Sequence, residues 1–267
     1  KALSLGLAGV ALLALCAHRH LHIFATSGLE TMLFTFLVST GVLLLALRDK
    51  ATVPGKPERQ LAIFAFVSLA LATLTRPDGG IIYAVCAGYL FVFDWRQNGP
   101  VSAARESVRH HLPSVGILFP VLLAKSLYYG SIVPNTFYAK SASHPYVFQG
   151  IRYAALYFQS YWPLGIALIL AVVFWRVLPL IRLPALVVVA YLSFVVFVGG
   201  DFMFARFLIP ITPLLFFCSV VLLSKIASAR IRWLAFAAFI LAIALRMDPF
   251  GGSLSRNGIT EENRLYS

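Results

Sequence analysis

Acidic and basic side chains stand at the edges of long apolar runs, where ionisable groups are costly unless they have partners. The segment VGGDFMFARFLIPITPLL, residues 198–215, carries Asp201 and, five residues later, Arg206. A charged side chain in the middle of a membrane-spanning helix costs roughly 2.5–3.5 kcal/mol on insertion scales, and less near the interface. Such groups therefore favour a polar cavity, and a cavity with both signs of charge can bind a phosphate and accept a proton.

Three further stretches share this placement at the ends of apolar runs. ATSGLE contains Glu30, a candidate for substrate binding, and TRPDGG contains Arg76 and Asp78. A simpler interpretation also stays open for these three residues. Arg76 and Asp78 then form a turn around Pro77, and Glu30 favours the start of a helix. A longer stretch, YYGSIVPNTFYAK, adds candidates for substrate binding, which are Tyr129, Asn135, Tyr138 and Lys140.

The basic and acidic members of this set suit different roles in one reaction. Arg76, Arg206 and Lys140 are candidates to hold a phosphate, because cationic side chains form charge-assisted hydrogen bonds with its oxygens. Asp78 and Asp201 are candidates to act as a catalytic base, to bind sugar hydroxyls or to orient the cations. Replacing either arginine by alanine is therefore expected to lower turnover without unfolding the protein.

Histidines and cysteines give only a weak indication of a metal site or a disulfide. The segment HRHLH spaces His18 and His22 four residues apart, which can bind a metal on one face of a helix. No acid stands beside them and the nearby Cys16 belongs to an apolar run, so we expect no metal site, and nothing in the sequence identifies a cofactor. The three cysteines lie inside apolar runs and are expected to be small core residues without a disulfide.

The composition indicates that membrane-spanning helices position these residues. Of 267 residues, 60% are hydrophobic and 12% are charged, whereas soluble domains carry about 25% charged residues. Lipid satisfies no backbone polar group, so every apolar run is expected to be helical. The predicted fold is an all-α, polytopic transmembrane bundle over residues 1–246, with about nine spans. The nine runs are 2–17, 29–47, 61–74, 81–93, 112–129, 161–178, 183–198, 207–223 and 233–245.

The basic residues predict which loops face the cytoplasm. If nine spans alternate, twelve Lys and Arg residues fall in the loops on one side and five in those on the other. The positive-inside rule places the richer set in the cytoplasm, so the candidate site faces outward from an inner (plasma) membrane. The segment 247–267 then becomes an outer tail, the expected start of an extracytoplasmic domain. Nucleic-acid binding is not expected, because the net charge of +12 is spread over short loops.

A spacing of four residues joins Tyr153, Tyr157 and Tyr161 in the long loop after residue 130. This spacing predicts an amphipathic helix with three rings on one face. We expect this helix to lie along the outer membrane surface, where two roles stay open: it covers the candidate cavity, or it only anchors the loop among lipid headgroups.

In this order, TSGLE, TRPDG, YYGSIVPNTFYAK and GGDFMFARFLIPITPLL resemble the polytopic GT-C glycosyltransferases of the arabinofuranosyltransferase type. The resemblance covers most of the chain. It implies a GT-C-like bundle and transfer of a sugar, such as arabinofuranose, from a polyprenyl-phosphate donor. The implied acceptor is a cell-envelope glycan, lipid or protein at the outer face. Such transfer needs positioning, a carboxylate base and a cationic group on the leaving phosphate.

One departure from that family concerns the catalytic acid. Members carry it in an acidic stretch of the first outer loop, and the sequence from Lys1 onward has no such stretch. We therefore expect a fragment that starts after the catalytic loop, which leaves Asp78 and Asp201 as the available base candidates.

Two other classes of protein remain as alternatives. A transporter or flippase for a polar or lipid-linked substrate would need charges at mid-membrane, and its usual inverted repeats are not evident. A non-enzymatic assembly subunit would not need this collection of acids and bases.

Overall fold

The computed structural model describes residues 2–48, 56–130, 146–256 and 258–261. Within these ranges the protein is all-α apart from one short hairpin. The chain divides into two compact units, which are described separately below. The first unit contains Lys1–Thr35 and Tyr146–Ser267, and the second contains Phe36–Pro145.

The described elements follow one another in a simple order. The helices are α1 (Ala2–Ala17), α2 (Arg19–Thr26), α3 (Thr31–Arg48), α4 (Lys56–Thr75), α5 (Gly79–Asn98), α6 (Pro100–Tyr129), α7 (Val147–Ser160), α8 (Trp162–Val173), α9 (Pro179–Val198), the 3₁₀ helix η1 (Ile209–Ile211), α10 (Thr212–Leu223) and α11 (Ala229–Ala244). The antiparallel hairpin consists of β1 (Ser255–Arg256) and β2 (Ile259–Thr260).

Several helices have the length and composition of membrane spans, as a membrane protein requires. Among the described residues four qualify singly, and up to six spans result if each of two bent helix pairs is one span. The pair α1 and α2 is bent by 68°, and the pair α7 and α8 by 107°. The single spans are Thr31–Arg48, Glu58–Thr75, Pro100–Tyr129 and Pro179–Val198.

The predicted count of nine spans is not confirmed, although every predicted apolar run overlaps a helix. One physical reason is length, since α8 and α10 each have only 12 residues and α11 has 16. An upright crossing takes about 20 residues. Composition excludes α5, which has 20 residues but includes Asp94 and Arg96. The assignment of loops to the two sides depended on nine alternating spans, so it stays a prediction.

His18 marks the bend between α1 and α2, in the segment between the first two predicted apolar runs. Its backbone is extended, and its ring Nδ1 accepts a hydrogen bond from the Leu21 backbone N–H at 3.3 Å. A side chain in this position satisfies one of the free N–H groups at the start of a helix. The second helix therefore begins at Arg19 instead of continuing α1.

The predicted helix with three aromatic rings on one face is present as α7, which ends just before Tyr161. Tyr153, Tyr157 and Tyr161 are fully buried, however, and α7 packs against α9. The rings thus belong to the core of the first unit and do not face outward, while the position of this helix along the membrane surface stays a prediction. The opposite face of α7 carries the exposed Phe148 and Ile151.

The second unit is built on α4, α5 and α6, which pack against one another. The part of α3 that belongs to this unit joins them by close contacts. A Cβ atom added to Gly41 would lie 2.6 Å from Leu69 Cγ, and the Ser68 hydroxyl donates to the Leu37 carbonyl at 2.8 Å. Gly41 therefore allows α3 and α4 to approach closely.

A double glycine ends α9 and opens the segment 199–208. Gly199 and Gly200 have φ values of 89° and 77°, a region that side chains other than glycine rarely adopt. A Cβ atom on Gly200 would also lie 2.5 Å from Cγ of Tyr153. The two glycines thus turn the chain back across α7 and bring Asp201 to a buried position.

The described part of the predicted outer tail folds against that same segment. The Phe204 N–H donates to the Thr260 carbonyl at 3.0 Å, and the Thr260 N–H donates to the Phe202 carbonyl at 2.7 Å. Residues 247–256 and 258–261 therefore form part of the first unit. That the tail begins a further domain stays a prediction.

Candidate functional site

Three side chains from two distant parts of the sequence meet in the first unit and are called the acid–arginine cluster. Arg206 Nη2 donates to Glu30 Oε1 at 3.0 Å, and Arg206 Nη1 donates to Asp201 Oδ2 at 3.3 Å. Glu30 lies just before α3, whereas the other two residues lie in the segment 199–208. Residues 30 and 206 are 176 positions apart, so only the fold creates this contact.

The three members of the cluster differ strongly in exposure. The Asp201 side chain is 1% exposed, that of Arg206 is 19% exposed, and that of Glu30 is 38% exposed. Asp201 Oδ1 also accepts a hydrogen bond from the Phe202 N–H at 2.9 Å. Asp201 is thus placed to orient Arg206, while Glu30 is the carboxylate that solvent reaches.

A strained residue precedes the arginine. Ala205 has a φ of 67° and is fully buried. Among residues other than glycine this conformation is uncommon, and strained backbone of this kind tends to occur at functional sites. The carbonyl of Ala205 accepts from the N–H groups of Leu208 and Ile209, which continues the chain into η1.

The hydroxyl of Tyr153 holds both ends of the bend that contains Arg206. It donates to the Met203 carbonyl at 3.0 Å and accepts from the Phe207 N–H at 3.1 Å. The bend therefore depends on one buried side chain from α7.

Tyr153→Phe is expected to lower the free energy of unfolding by about 1–3 kcal/mol, because buried backbone groups lose their partner. Thermal unfolding of the detergent-solubilised protein measures this change. Tyr146→Phe is the matched control, since Tyr146 is 53% exposed. Equal melting temperatures for the two variants would contradict this account of the bend.

A buried chain of hydrogen bonds lies in the same unit and was not predicted. Thr212 donates to the Leu208 carbonyl, so its oxygen accepts from the Tyr157 hydroxyl at 2.6 Å. The Tyr157 oxygen in turn lies 3.4 Å from His18 Nε2. Because His18 Nδ1 already accepts a hydrogen bond, Nε2 is the nitrogen that donates.

A second buried group joins α2 to the C-terminal hairpin. His20 Nδ1 lies 2.7 Å from the Tyr161 hydroxyl, and His20 Nε2 lies 3.8 Å from Glu261 Oε1. Arg246 pairs with the same glutamate oxygen. The criterion that selects Arg206, a charge at the end of an apolar run, also fits Arg246, which follows α11.

In the second unit, Arg76 and Asp78 pair with each other. Nε and Nη2 of the arginine donate to the two carboxylate oxygens at 3.1 and 2.8 Å. Both side chains are about nine-tenths buried, and the pair spans the turn between α4 and α5. The geometry therefore fits the simpler interpretation of a turn around Pro77, and Asp78 does not use its side chain to cap α5.

The remaining predicted site residues fall into two groups. Tyr129, the last residue of α6, is 71% exposed and belongs to the second unit. The other three, Asn135, Tyr138 and Lys140, lie outside the described residues.

Among the described residues, no group of three or more His, Cys, Asp or Glu side chains is arranged to hold a metal ion. The two histidines with the i, i+4 spacing have separate partners. His18 is buried and bonded to Leu21, while the exposed His22 ring bonds to the Cys16 carbonyl.

Comparison with known proteins places the chain in no group, since no protein-family model, curated protein or solved structure matches it. The class that the fold supports is accordingly the broad one: a helical protein with several helices fit to cross a membrane.

Proposed function

We propose that this protein is a membrane glycosyltransferase. It moves a sugar, with arabinofuranose as the leading candidate, from a polyprenyl-phosphate donor to a cell-envelope glycan, lipid or protein acceptor at the outer face of the plasma membrane. The acid–arginine cluster is the observation that carries this proposal. It combines a guanidinium that suits a phosphate with a carboxylate that solvent reaches, in a segment whose sequence resembles that of GT-C enzymes.

The proposed division of roles follows from burial. Asp201 is a positioning residue, because its carboxylate is closed to solvent and both of its oxygens accept hydrogen bonds. Arg206 binds the donor phosphate through charge-assisted hydrogen bonds once Glu30 turns away from it. The partial exposure of Glu30 makes that movement feasible.

The chemical step is a single displacement. The acceptor hydroxyl oxygen forms a bond to the anomeric carbon, and the bond from that carbon to the phosphate oxygen breaks. The electron pair of the broken bond leaves with the lipid phosphate, whose developing charge faces Arg206. A carboxylate takes the hydroxyl proton, and Glu30 is the accessible carboxylate of the cluster.

The test is transfer of a labelled sugar from a synthetic polyprenyl-phosphate donor by the purified full-length protein. Glu30→Gln is expected to lower the rate about 100-fold or more, which is the usual contribution of a general base. The exposed charge of Arg152 on α7 gives a matched control, and Arg152→Gln should transfer sugar at the wild-type rate.

Two results would contradict the proposal. One is an unchanged rate for Glu30→Gln in a protein that is active. The other is movement of a lipid-linked substrate across proteoliposomes without any sugar transfer, which would favour the transporter.

A further inference from the structure

A polar cavity lies in the second unit, at the end of α4 and α5 opposite to Arg76 and Asp78. It has a volume of about 150 Å³ and is lined by the ends of four helices. The lining residues are Arg48, Glu58, Arg59, Asp94, Asn98, Ser102, Glu106 and His110. We call it the charged cavity.

Several buried nitrogen atoms of residues that line the charged cavity have no hydrogen-bond partner among the described residues. Arg48 Nη2 donates to Asp94 Oδ1 at 3.0 Å, but Arg48 Nε and Nη1 have no such partner. His110 is 1% exposed, and its Nδ1 also has none. Buried polar groups are nearly always satisfied, so these atoms indicate a ligand or water that accepts hydrogen bonds.

The charges of the lining restrict the kind of ligand. Arg48 and Arg59 supply two guanidinium groups, and three carboxylates stand among them. A purely anionic ligand would meet the carboxylates, and a purely cationic one would meet the arginines. A ligand that carries both a phosphate and an ammonium group complements both sets.

The charged cavity lies at the ends of two candidate membrane spans, since Arg48 ends the span Thr31–Arg48 and Glu58 begins the span Glu58–Thr75. A helix of 30 residues is about 45 Å long, whereas the hydrocarbon core of a bilayer is about 30 Å thick. If the apolar residues 112–129 fill the core, the first three turns of α6 extend beyond it. Ser102, Glu106 and His110 lie in those turns, and Trp95 beside the cavity is 52% exposed, as is common at a membrane interface.

We propose that the charged cavity binds the phosphoethanolamine headgroup of a membrane phospholipid. The phosphate lies against Arg48 and the first turn of α6 at Ser102, where helix N–H groups favour an anion. The primary ammonium donates hydrogen bonds to the carboxylate of Glu58, because both oxygens of Glu106 already accept from Arg59 and one of them also accepts from Arg109. This site is separate from the acid–arginine cluster, and the proposal does not depend on glycosyl transfer.

The test is binding of short-chain phospholipids to the delipidated full-length protein in detergent, measured by native mass spectrometry. Phosphatidylethanolamine should bind at least about tenfold more tightly than phosphatidylcholine, whose quaternary ammonium donates no hydrogen bond, or than phosphatidylglycerol, which has no cation. Equal binding of the three lipids would overturn the proposal. Displacement of the lipid by equimolar soluble phosphoethanolamine or inorganic phosphate would assign the cavity to a soluble phosphate compound instead.

Variants test whether phosphatidylethanolamine binds in the charged cavity. Arg48→Gln should weaken phosphatidylethanolamine about tenfold, while Arg96→Gln, at an exposed position on α5, should bind as the wild type does. Because Arg48→Gln leaves Asp94 without its cation and risks misfolding, Ser102→Trp gives a second test by filling the cavity without a change of charge. Wild-type binding by Ser102→Trp, or by a folded Arg48→Gln protein, would refute the assignment.

Discussion

Replacing Arg206 by alanine is expected to lower the free energy of unfolding by about 3–5 kcal/mol, because the change removes the cation beside a buried carboxylate. Asp201 is 1% exposed in its side chain and cannot recover the lost interaction from water. The sequence alone predicts a loss of turnover without unfolding at this position. The structure adds a loss of stability, which is measured by thermal unfolding in detergent.

A double variant distinguishes two causes of this loss of stability, the buried charge of Asp201 and the lost packing of Arg206. Asp201→Asn in the Arg206→Ala background removes the buried negative charge, and the amide oxygen still accepts the Phe202 N–H. We therefore expect the double variant to melt at a higher temperature than Arg206→Ala. Arg152→Ala on the exposed face of α7 is the matched control and should melt like the wild type. A double variant less stable than the single one would show that Asp201 does not depend on Arg206.

Gly150→Ala is expected to cost about 3 kcal/mol or more of unfolding free energy, at the upper end of overpacking substitutions. A Cβ atom at Gly150 would lie 2.5 Å from Val196 Cα and closer still to the Val196 carbonyl oxygen. Both are backbone atoms of α9, so no rotation of a side chain can relieve the clash. The two helices would have to move apart, which would disturb the buried tyrosines of α7.

Gly9→Ala in α1 is the matched control, because the same change there meets no atom within 4 Å. It removes a flexible residue from a helix interior and should raise stability by roughly 0.5–1 kcal/mol. We expect the melting temperature to fall for Gly150→Ala and to rise for Gly9→Ala. A neutral Gly150→Ala would mean that α7 and α9 do not pack as closely as described.

The sequence by itself determined that the chain is helical and suited to a membrane. Long apolar runs allow few other structures, because a backbone in lipid must satisfy its own hydrogen bonds within each segment. The spacing of Tyr153, Tyr157 and Tyr161 likewise determined that three rings share one face of α7. The sequence also marked Glu30 and Arg206 as charges at the ends of apolar runs.

Only the tertiary structure decided what those features contact. The tyrosine face turns toward the core because α9 and the segment 199–208 pack on it, and no local pattern distinguishes a buried partner from lipid. The residues next to Gly150 in the sequence do not indicate that a glycine is needed there. The need comes from the backbone of a helix that follows much later in the chain. Glu30 and Arg206 meet across 176 residues for the same reason. Periodicity is a local property of the chain, whereas pairing over such distances depends on how whole helices pack.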